Sequence, residues 1–167
     1  TGEGGFRRAT LDVSQVTRAW VTHPDANVAV WPGPSGLVIV DIDTPQAEAV
    51  AEALGLLAEP TYTVLTGRDG FPWRHLYFAY RGPPISNLTI AHTDGRFHPA
   101  TGSTPGLELK AHLGYAIAPP SIHPTTGRVY QVEYDIAPLP LPSGCLAALA
   151  PFIDPDRTVA GNGDGGP

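Results

Sequence analysis

Two carboxylates, Asp41 and Asp43, lie two positions apart at the end of the apolar segment 37–40. Because successive side chains of a β-strand point to opposite faces, a strand here places Asp41 and Asp43 on one face. Adjacent carboxylates repel each other unless a cation lies between them or one keeps its proton, and such oxygen ligands suit Mg²⁺ or Mn²⁺. The pattern therefore predicts a metal site. The alternative is that Asp43 or Thr44 caps the helix that Pro45 begins, with Asp41 as a solvated strand end.

A third candidate acid is Glu108, which lies in the segment Leu107-Glu108-Leu109-Lys110. Strand alternation places the two leucines on one face and puts Glu108 and Lys110 together on the other. This arrangement fits a third metal-binding carboxylate with a cation beside it. It also fits an exposed Glu–Lys pair at the edge of a strand.

Several basic and polar side chains are candidates for binding phosphate groups. His75 and Tyr77 share one face of a predicted strand over residues 75–80, and an imidazole there donates to a phosphate oxygen or bonds to a structural neighbour. The rigid Pro119-Pro120 pair positions the polar side chains that follow it, unless these are ordinary turn residues. The complete set of candidate donors is Arg68, Arg74, His75, Lys110, Ser121 and His123.

Three carboxylates together with such donors have the composition of a two-metal phosphoryl-transfer site, in which acids hold the metals and the donors hold the phosphates. Two other kinds of site are missing from the sequence. There is no Gly-x-Ser-x-Gly elbow of a serine hydrolase and no Gly-Lys-Ser/Thr of a phosphate-binding P-loop.

The elements that position these residues follow from hydrophobic periodicity. Asp12, with Gln15 at capping-box spacing, predicts a helix that Pro24 ends. Strands are predicted over 27–31 and 37–43, then a helix from Thr44 and Pro45 that Gly55 ends, then a hairpin of strands 61–66 and 75–80.

The second half of the chain has weaker patterns. Residues 81–105 predict a long polar loop, 107–110 and 115–118 a strand pair, and 129–134 a further strand. Ser143 is predicted to cap a last helix over 145–152. Many short strands with two or three helices predict an α+β domain.

The bulk composition narrows the classes of function. A chain of 167 residues is enough for one domain, and its net charge of −6 means that nucleic-acid binding requires a local basic patch. The single cysteine, Cys145, excludes an intramolecular disulfide and a cysteine-rich zinc site. No apolar segment is long enough to span a bilayer, and we expect no signal peptide, so the sequence predicts a cytoplasmic protein without membrane contact.

The order of these segments resembles the primase-polymerase (prim-pol) domain of bacterial, phage and plasmid replication proteins, which belongs to the archaeo-eukaryotic primase superfamily. The resemblance covers roughly residues 6–152. It is carried by Asp25-Ala26-Asn27-Val28-Ala29-Val30, Val38-Ile39-Val40-Asp41-Ile42-Asp43, Thr66-Gly67-Arg68, Arg74-His75-Leu76-Tyr77-Phe78, and Gly114-Tyr115-Ala116-Ile117-Ala118-Pro119-Pro120-Ser121-Ile122-His123-Pro124 with Gly127 and Tyr130.

The resemblance implies roles for the candidate residues. Asp41, Asp43 and Glu108 match the family's acidic metal ligands and would hold two divalent ions, Mg²⁺ or Mn²⁺, although the family more often has aspartate at the position of Glu108. The resemblance matches His75 to the family's second motif, Lys110 to a basic residue two positions after the third acid, and Ser121 to a nucleotide-contacting position. Arg68, Arg74 and His123 are nucleotide-binding candidates from their residue types and their places in the predicted strands and loops.

The resemblance also implies a fold and a function. The fold is an α+β catalytic core with an RNA-recognition-type (RRM-like) sheet, helices on its back, a second α/β unit beside it, the site in the cleft between them, and no zinc stem. Residues 11–152 would form this domain, with an N-terminal arm at 1–10 and a flexible tail at 153–167. The function is DNA priming and DNA polymerisation by a two-metal mechanism, with a DNA template and primer, dNTP or NTP, and a helicase or other replication domain as partners.

Two segments depart from the family pattern: Phe71-Pro72-Trp73 interrupts the usual Gly-Gly-x-His motif, and the strand–helix unit that usually opens the domain is expected to be missing. One alternative is an RNA-only primase of the same fold, because no residue pattern fixes the choice of sugar. Another is a non-catalytic domain that binds single-stranded nucleic acid or nucleotides, which the missing unit, Glu108 and the acidic net charge leave open. A haloacid-dehalogenase-like phosphatase is disfavoured, because Pro45 stands where that family has Thr or Val.

Overall fold

A computed structural model describes residues 8–70, 72–92, 95, 97–101 and 106–153 of the chain. The helices in this part are α1 (Val13–Thr22), α2 (Pro45–Ala53) and α3 (Ser143–Leu149). The strands are β1 (Val28–Val30), β2 (Leu37–Ile42), β3 (Thr63–Leu65), β4 (Arg74–Ala79), β5 (Leu88–His92), β6 (Phe97–Thr101), β7 (Gly106–Lys110), β8 (Ala116–Ala118), β9 (Gln131–Tyr134) and β10 (Leu139–Pro140).

Eight of these strands form one sheet in the order β6-β5-β7-β2-β4-β3-β9, with β10 pairing in parallel with β4. The other pairs in this sheet are antiparallel. A second, two-stranded antiparallel sheet joins β1 to β8. Helices combined with largely antiparallel sheets confirm the predicted α+β class. No helix in the described ranges has the length and apolar character needed to cross a membrane.

One face of β2 and its neighbours forms the main core. Val38, Val40 and Ile42 point to this face, where they are at most 1% exposed. They pack with side chains of the adjacent strands and with residues of α2 and α3. Each fully buried Val, Leu, Ile or Phe side chain contributes about 1.5–3 kcal/mol through removal of apolar surface from water. Contributors on the other elements include Leu76, Phe78, Leu88, Ile90, Leu107, Leu109, Ala47, Ala51, Cys145 and Leu149.

The opposite face of the same sheet carries a smaller apolar cluster of Ile39, Val64, Tyr77, Ala116 and Tyr130. Because side chains alternate along a strand, this is also the face of Asp41 on β2. The small β1–β8 sheet contributes to the cluster through Ala116, so it lies over this second face. The eight-stranded sheet thus separates a helix-covered face from a face that bears polar residues.

Local capping explains where the first two helices begin. The Asp12 carboxylate accepts hydrogen bonds from the backbone N–H groups of Ser14 and Gln15 and starts α1. Thr44, rather than Asp43, caps α2, because its hydroxyl accepts the N–H of Ala47 at 3.0 Å. This assignment leaves the Asp43 carboxylate available for other contacts.

Three predictions for the second half of the chain are wrong. Residues 81–105 contain β5 and β6 instead of being loop throughout, because Leu88 and Ile90 are buried where β5 pairs with β7. Strands 107–110 and 115–118 do not pair with each other, since β2 and β5 already occupy both edges of β7 and β8 pairs with β1.

The third error concerns the last helix. Ser143 is its first residue instead of its cap, Pro142 precedes it without a side-chain hydrogen bond, and the regular helix ends at Leu149 before a 3₁₀ turn. Strand β10, which pairs with β4, was not predicted from the sequence. The interpretations placed on residues 1–7, Phe71 and 154–167 lie outside the described residues.

Candidate functional site

The site is built on a row of residues across three neighbouring strands. Asp41 in the central β2 lies directly opposite His75 of β4 on one side and Glu108 of β7 on the other. Side chains at such cross-strand positions have Cβ atoms about 4.5–5.5 Å apart. The antiparallel register therefore brings together residues that are distant in the sequence.

The three acids converge in space. Oxygen atoms from Asp41, Asp43 and Glu108 all lie within 4.8 Å of one another, and this is the one group of three potential metal ligands among the residues the structure describes. Glu108 is only 4% exposed. The backbone N–H of Asp43 donates to the carbonyl of Gly106 at 2.7 Å, which holds the end of β2 against β7. We refer to Asp41, Asp43 and Glu108 as the acid cluster.

Three cationic or polar side chains surround the acid cluster. Arg68 Nη1 donates to Asp43 Oδ1 at 2.9 Å, and His75 Nε2 lies 3.5 Å from Asp41 Oδ1. Lys110 Nζ forms an ion pair with Glu108 and lies 3.9 Å from Asp41 Oδ2. Each carboxylate therefore has a positively charged or imidazole neighbour.

The electrostatics of the acid cluster favour a divalent cation. Burial raises the pKa of Asp43 to about 6, and the negative charges of Asp41 and Glu108 act in the same direction while Arg68 opposes them. Burial also acts to raise the pKa of Asp41, but the attraction of His75, Lys110 and Arg68 outweighs it and lowers that pKa. Three hard oxygen donors with mutual repulsion fit Mg²⁺ or Mn²⁺.

The raised pKa of Asp43 has a measurable effect on stability. Between about pH 4 and pH 6 the folded protein holds a proton on Asp43 that the unfolded chain has lost, so ionisation of Asp43 lowers the free energy of unfolding as pH rises. The contribution reaches about 3 kcal/mol above pH 6. Asparagine at position 43 cannot ionise, so Asp43→Asn should not lose this stability. In EDTA, we expect the free energy of unfolding of Asp43→Asn minus that of the unsubstituted protein to increase by about 3 kcal/mol from pH 4 to pH 7. Urea unfolding at each pH measures it.

Asp25→Asn is the matched control, because it makes the same chemical change at an exposed position. A stability difference between Asp43→Asn and the unsubstituted protein that does not vary with pH would contradict the assignment. Addition of Mn²⁺ at pH 7 should stabilise the unsubstituted protein more than Asp43→Asn, because binding to the folded state alone raises the free energy of unfolding.

The loop between β3 and β4 holds Arg68 in place. The Arg68 guanidinium lies 4.6 Å from the centroid of the Trp73 ring, in cation–π contact. The loop is tied in turn to the segment before β9, where Thr126 Oγ1 donates to the carbonyl of Gly67 at 2.8 Å and Arg128 pairs with Asp69 at 2.7 Å. The segment that departs from the family motif therefore supplies the ring that supports Arg68.

A cavity of about 410 Å³ adjoins the acid cluster. Its charged or imidazole-bearing wall is formed by Asp41, His75 and Lys110. The rest of its wall is formed by Asn87, Leu113, Gly114, Tyr115, Ala116, Ile117 and Tyr130. A larger depression of about 630 Å³ adjoins α2 and α3, and its wall of mostly alanine, valine and leucine contains no charged residue. Of these two, the smaller cavity is the one whose charged and aromatic side chains suit a charged, partly aromatic ligand.

Three of the six predicted donors do not contact the acid cluster. Arg74 points away from it, pairing with Glu48 at 2.8 Å and Glu133 at 3.0 Å. The Ser121 hydroxyl accepts the N–H of Val28 and donates to its carbonyl, so it fastens the Pro-Pro loop to β1. These bonds engage the Arg74 guanidinium and the Ser121 hydroxyl, and phosphate binding by either group stays a prediction.

The third of these donors is His123. Its Nδ1 accepts long hydrogen bonds from the N–H groups of Thr125 and Thr126, both at 3.4 Å. Its ring lies 6.0 Å from that of Tyr130, which is in turn 6.0 Å from the ring of His75. His123 therefore lies next to Tyr130 of the cavity wall and does not contact the acid cluster.

Sequence analysis missed two polar residues of this region. Thr89 is 2% exposed and lies opposite Glu108 in the β5–β7 pair, and Asn87 contributes to the cavity wall. The alternation of Leu88, Thr89 and Ile90 was the available signal for a strand that points Thr89 to the site face. No local pattern indicated Asn87.

Comparison with known proteins identifies one family. The family described as bifunctional DNA primase/polymerase, N-terminal, matches residues 1–143. No curated protein matches the chain. The family match covers the acid cluster, its surrounding cations and the whole cavity wall.

Proposed function

The chain belongs to the bifunctional DNA primase/polymerase N-terminal family, and from this membership we propose that it catalyses template-directed nucleotidyl transfer in the replication of a bacterial, phage or plasmid replicon. The observation that carries the proposal is the acid cluster, with its oxygens within 4.8 Å of one another beside a cavity of about 410 Å³. Polymerisation of nucleotides needs such a concentration of carboxylates to hold divalent ions.

The acid cluster would hold two divalent ions, Mg²⁺ or Mn²⁺. When bound, such ions supply Lewis-acid activation and neutralise the charge that develops on transferred phosphates. The buried position of Glu108 and the register of β2 against β7 keep these carboxylates in place before any ligand arrives. That preorganisation is what positions the reacting groups.

The other side chains would bind the nucleotide. His75, Lys110 and Arg68 lie around the acid cluster and would donate to the triphosphate oxygens. The primer 3′-hydroxyl oxygen attacks the α-phosphorus, the bond to the bridging oxygen of the β-phosphate breaks, and pyrophosphate leaves with those electrons. The hydroxyl proton passes to solvent. Arg74 and Ser121 would act indirectly, through the contacts that fasten β4 and the Pro-Pro loop.

The domain organisation proposed with this function has three parts. Residues 11–152 form the catalytic unit, with residues 1–10 as an arm and 153–167 as a tail. We assign the eight-stranded sheet with its helices to the RRM-like core and the small β1–β8 sheet to the second unit beside it. A helicase or another replication domain would act together with this unit, as it does in the family.

Metal-dependent primer extension tests the proposal. The assay contains a labelled primer annealed to a template, Mg²⁺ or Mn²⁺, and dNTPs or NTPs in separate reactions, with EDTA as the metal-free reaction. We expect extension only with a divalent ion, and loss of extension in Asp41→Ala/Asp43→Ala. The dNTP and NTP reactions distinguish a DNA polymerase from an RNA-only primase.

A matched double variant, Glu52→Ala/Glu59→Ala, removes the same charge from two exposed positions and should extend normally. Extension that persists in Asp41→Ala/Asp43→Ala would overturn the site. A folded protein that binds nucleotide and template without extending the primer would instead indicate a non-catalytic binding domain.

A further inference from the structure

Asn87 precedes β5 and has an amide whose orientation is fixed by the backbone. Its Oδ1 accepts a hydrogen bond from the N–H of Ala111 at 2.9 Å. Because that end of the amide must be the acceptor, the other end is the Nδ2 donor. Within the described part of the chain, Nδ2 makes no hydrogen bond, and Asn87 forms part of the cavity wall. The cavity therefore contains a preoriented N–H donor beside the acid cluster.

The loop after β7 makes room for this donor. A Cβ atom on Gly114 would lie 1.9 Å from Asn87 Nδ2, far inside contact distance. Gly114 does not have the left-handed backbone that otherwise favours glycine, so space explains its presence. The amide of Asn87 is thus held between the Ala111 N–H and the backbone of Gly114.

Asn87 lies at the boundary between the two kinds of cavity wall. Leu88 pairs with Leu109, which places Asn87 beside Lys110 at the charged end. Gly114, against which the amide packs, begins the part of the wall that contains Tyr115 and Ile117. A nucleotide that places its phosphates at Lys110 and its base against the aromatic and apolar wall has its sugar between them.

We propose that Asn87 is a specificity-determining residue whose Nδ2 donates a hydrogen bond to a hydroxyl of the nucleotide sugar. This inference rests on the proposed function, because it requires a nucleoside triphosphate in this cavity. A phosphate oxygen is the competing acceptor for Nδ2. The two acceptors are distinguished by nucleotides that keep the triphosphate and lack sugar hydroxyls.

Isothermal titration of ATP, dATP and 2′,3′-dideoxy-ATP, with Mg²⁺ and no primer, tests the proposal. For the unsubstituted protein, the dissociation constant of dideoxy-ATP should be about 3- to 10-fold higher than that of a nucleotide with the contacted hydroxyl, which is the effect of losing one net hydrogen bond. In Asn87→Ala the ratio of these two dissociation constants should fall to about one. Comparison of ATP with dATP identifies the hydroxyl as 2′ or 3′.

Two further variants separate a sugar contact from general loosening of the site. Leu113→Ala removes a half-exposed apolar part of the same wall, so it should weaken all three nucleotides alike and keep the ratio. Gly114→Ala retains Asn87 and displaces its amide, so it should reduce the ratio.

The possible results have distinct meanings. Equal weakening of all three nucleotides in Asn87→Ala would overturn the proposal in favour of a phosphate contact. Equal affinities for the three nucleotides in the unsubstituted protein, or an unchanged ratio in Asn87→Ala, would also overturn it. If the unsubstituted protein binds no triphosphate with Mg²⁺, the proposed function fails together with this inference, whereas the preceding results would leave the function intact.

Discussion

Replacement of Asp41 with asparagine is expected to reduce metal-dependent nucleotide incorporation by about 10³-fold or more while the protein remains folded. Asp41 lies between Glu108 and His75 in the cross-strand row, so its carboxylate contributes to the acid cluster from the centre. Its lowered pKa keeps it ionised at neutral pH. Asparagine has nearly the same shape, but it carries no charge with which to hold a divalent ion.

Three measurements check this expectation. Single-turnover primer extension gives the rate, Mn²⁺ titration gives the ion affinity, and thermal unfolding in EDTA reports the fold. The same change at an exposed position, Asp25→Asn, controls for the loss of one negative charge. Incorporation by Asp41→Asn within tenfold of the unsubstituted protein would remove Asp41 from the proposed site.

The second large effect is on stability and involves the other face of the sheet. Phe78 of β4 is 1% exposed and packs in the main core, pointing away from the acid cluster. Phe78→Ala leaves a cavity in this core and is expected to lower the free energy of unfolding by about 3–5 kcal/mol. Under conditions in which the variant is still folded, Mn²⁺ affinity per folded molecule should not change.

Urea unfolding and Mn²⁺ titration together test the separation of the two faces. The neighbouring Tyr77 points to the site face, and its buried hydroxyl has no hydrogen-bond partner within the described ranges. Tyr77→Phe should therefore lower the free energy of unfolding by less than about 1 kcal/mol or raise it slightly.

A loss of Mn²⁺ affinity in folded Phe78→Ala would show that the two faces are coupled. Phe78→Leu repeats the test if the alanine variant unfolds.

Local patterns in the sequence were sufficient for the first half of the fold. Alternation and turn residues predicted β2 and the β3–β4 hairpin, and capping residues predicted α1 and α2. The same alternation predicted that Glu108 and Lys110 share a face. These features succeed because periodicity and capping depend only on residues close together in the chain.

Strand pairing between distant segments was not predictable in the same way. The partners of β7 are β2 and β5, and nothing within residues 106–110 indicates that both of its edges are occupied. The hydrogen-bond partners of individual polar groups were equally unpredictable, because Ser121 and Arg74 bond to residues of other elements. Composition suggested a set of phosphate-binding candidates, and the tertiary structure was needed to tell which of them lie around the acid cluster.

The acid cluster joins residues that are distant along the chain, and this has a consequence for folding. Asp41 and Glu108 meet only when β2 pairs with β7, after the intervening chain has folded back. Closing such a long loop costs entropy before its contacts compensate, so we expect this site to be completed late in folding. A ligand that binds only the finished sheet slows unfolding without accelerating folding. Divalent ions held by these carboxylates would prolong the lifetime of the native domain and would not guide the chain toward it.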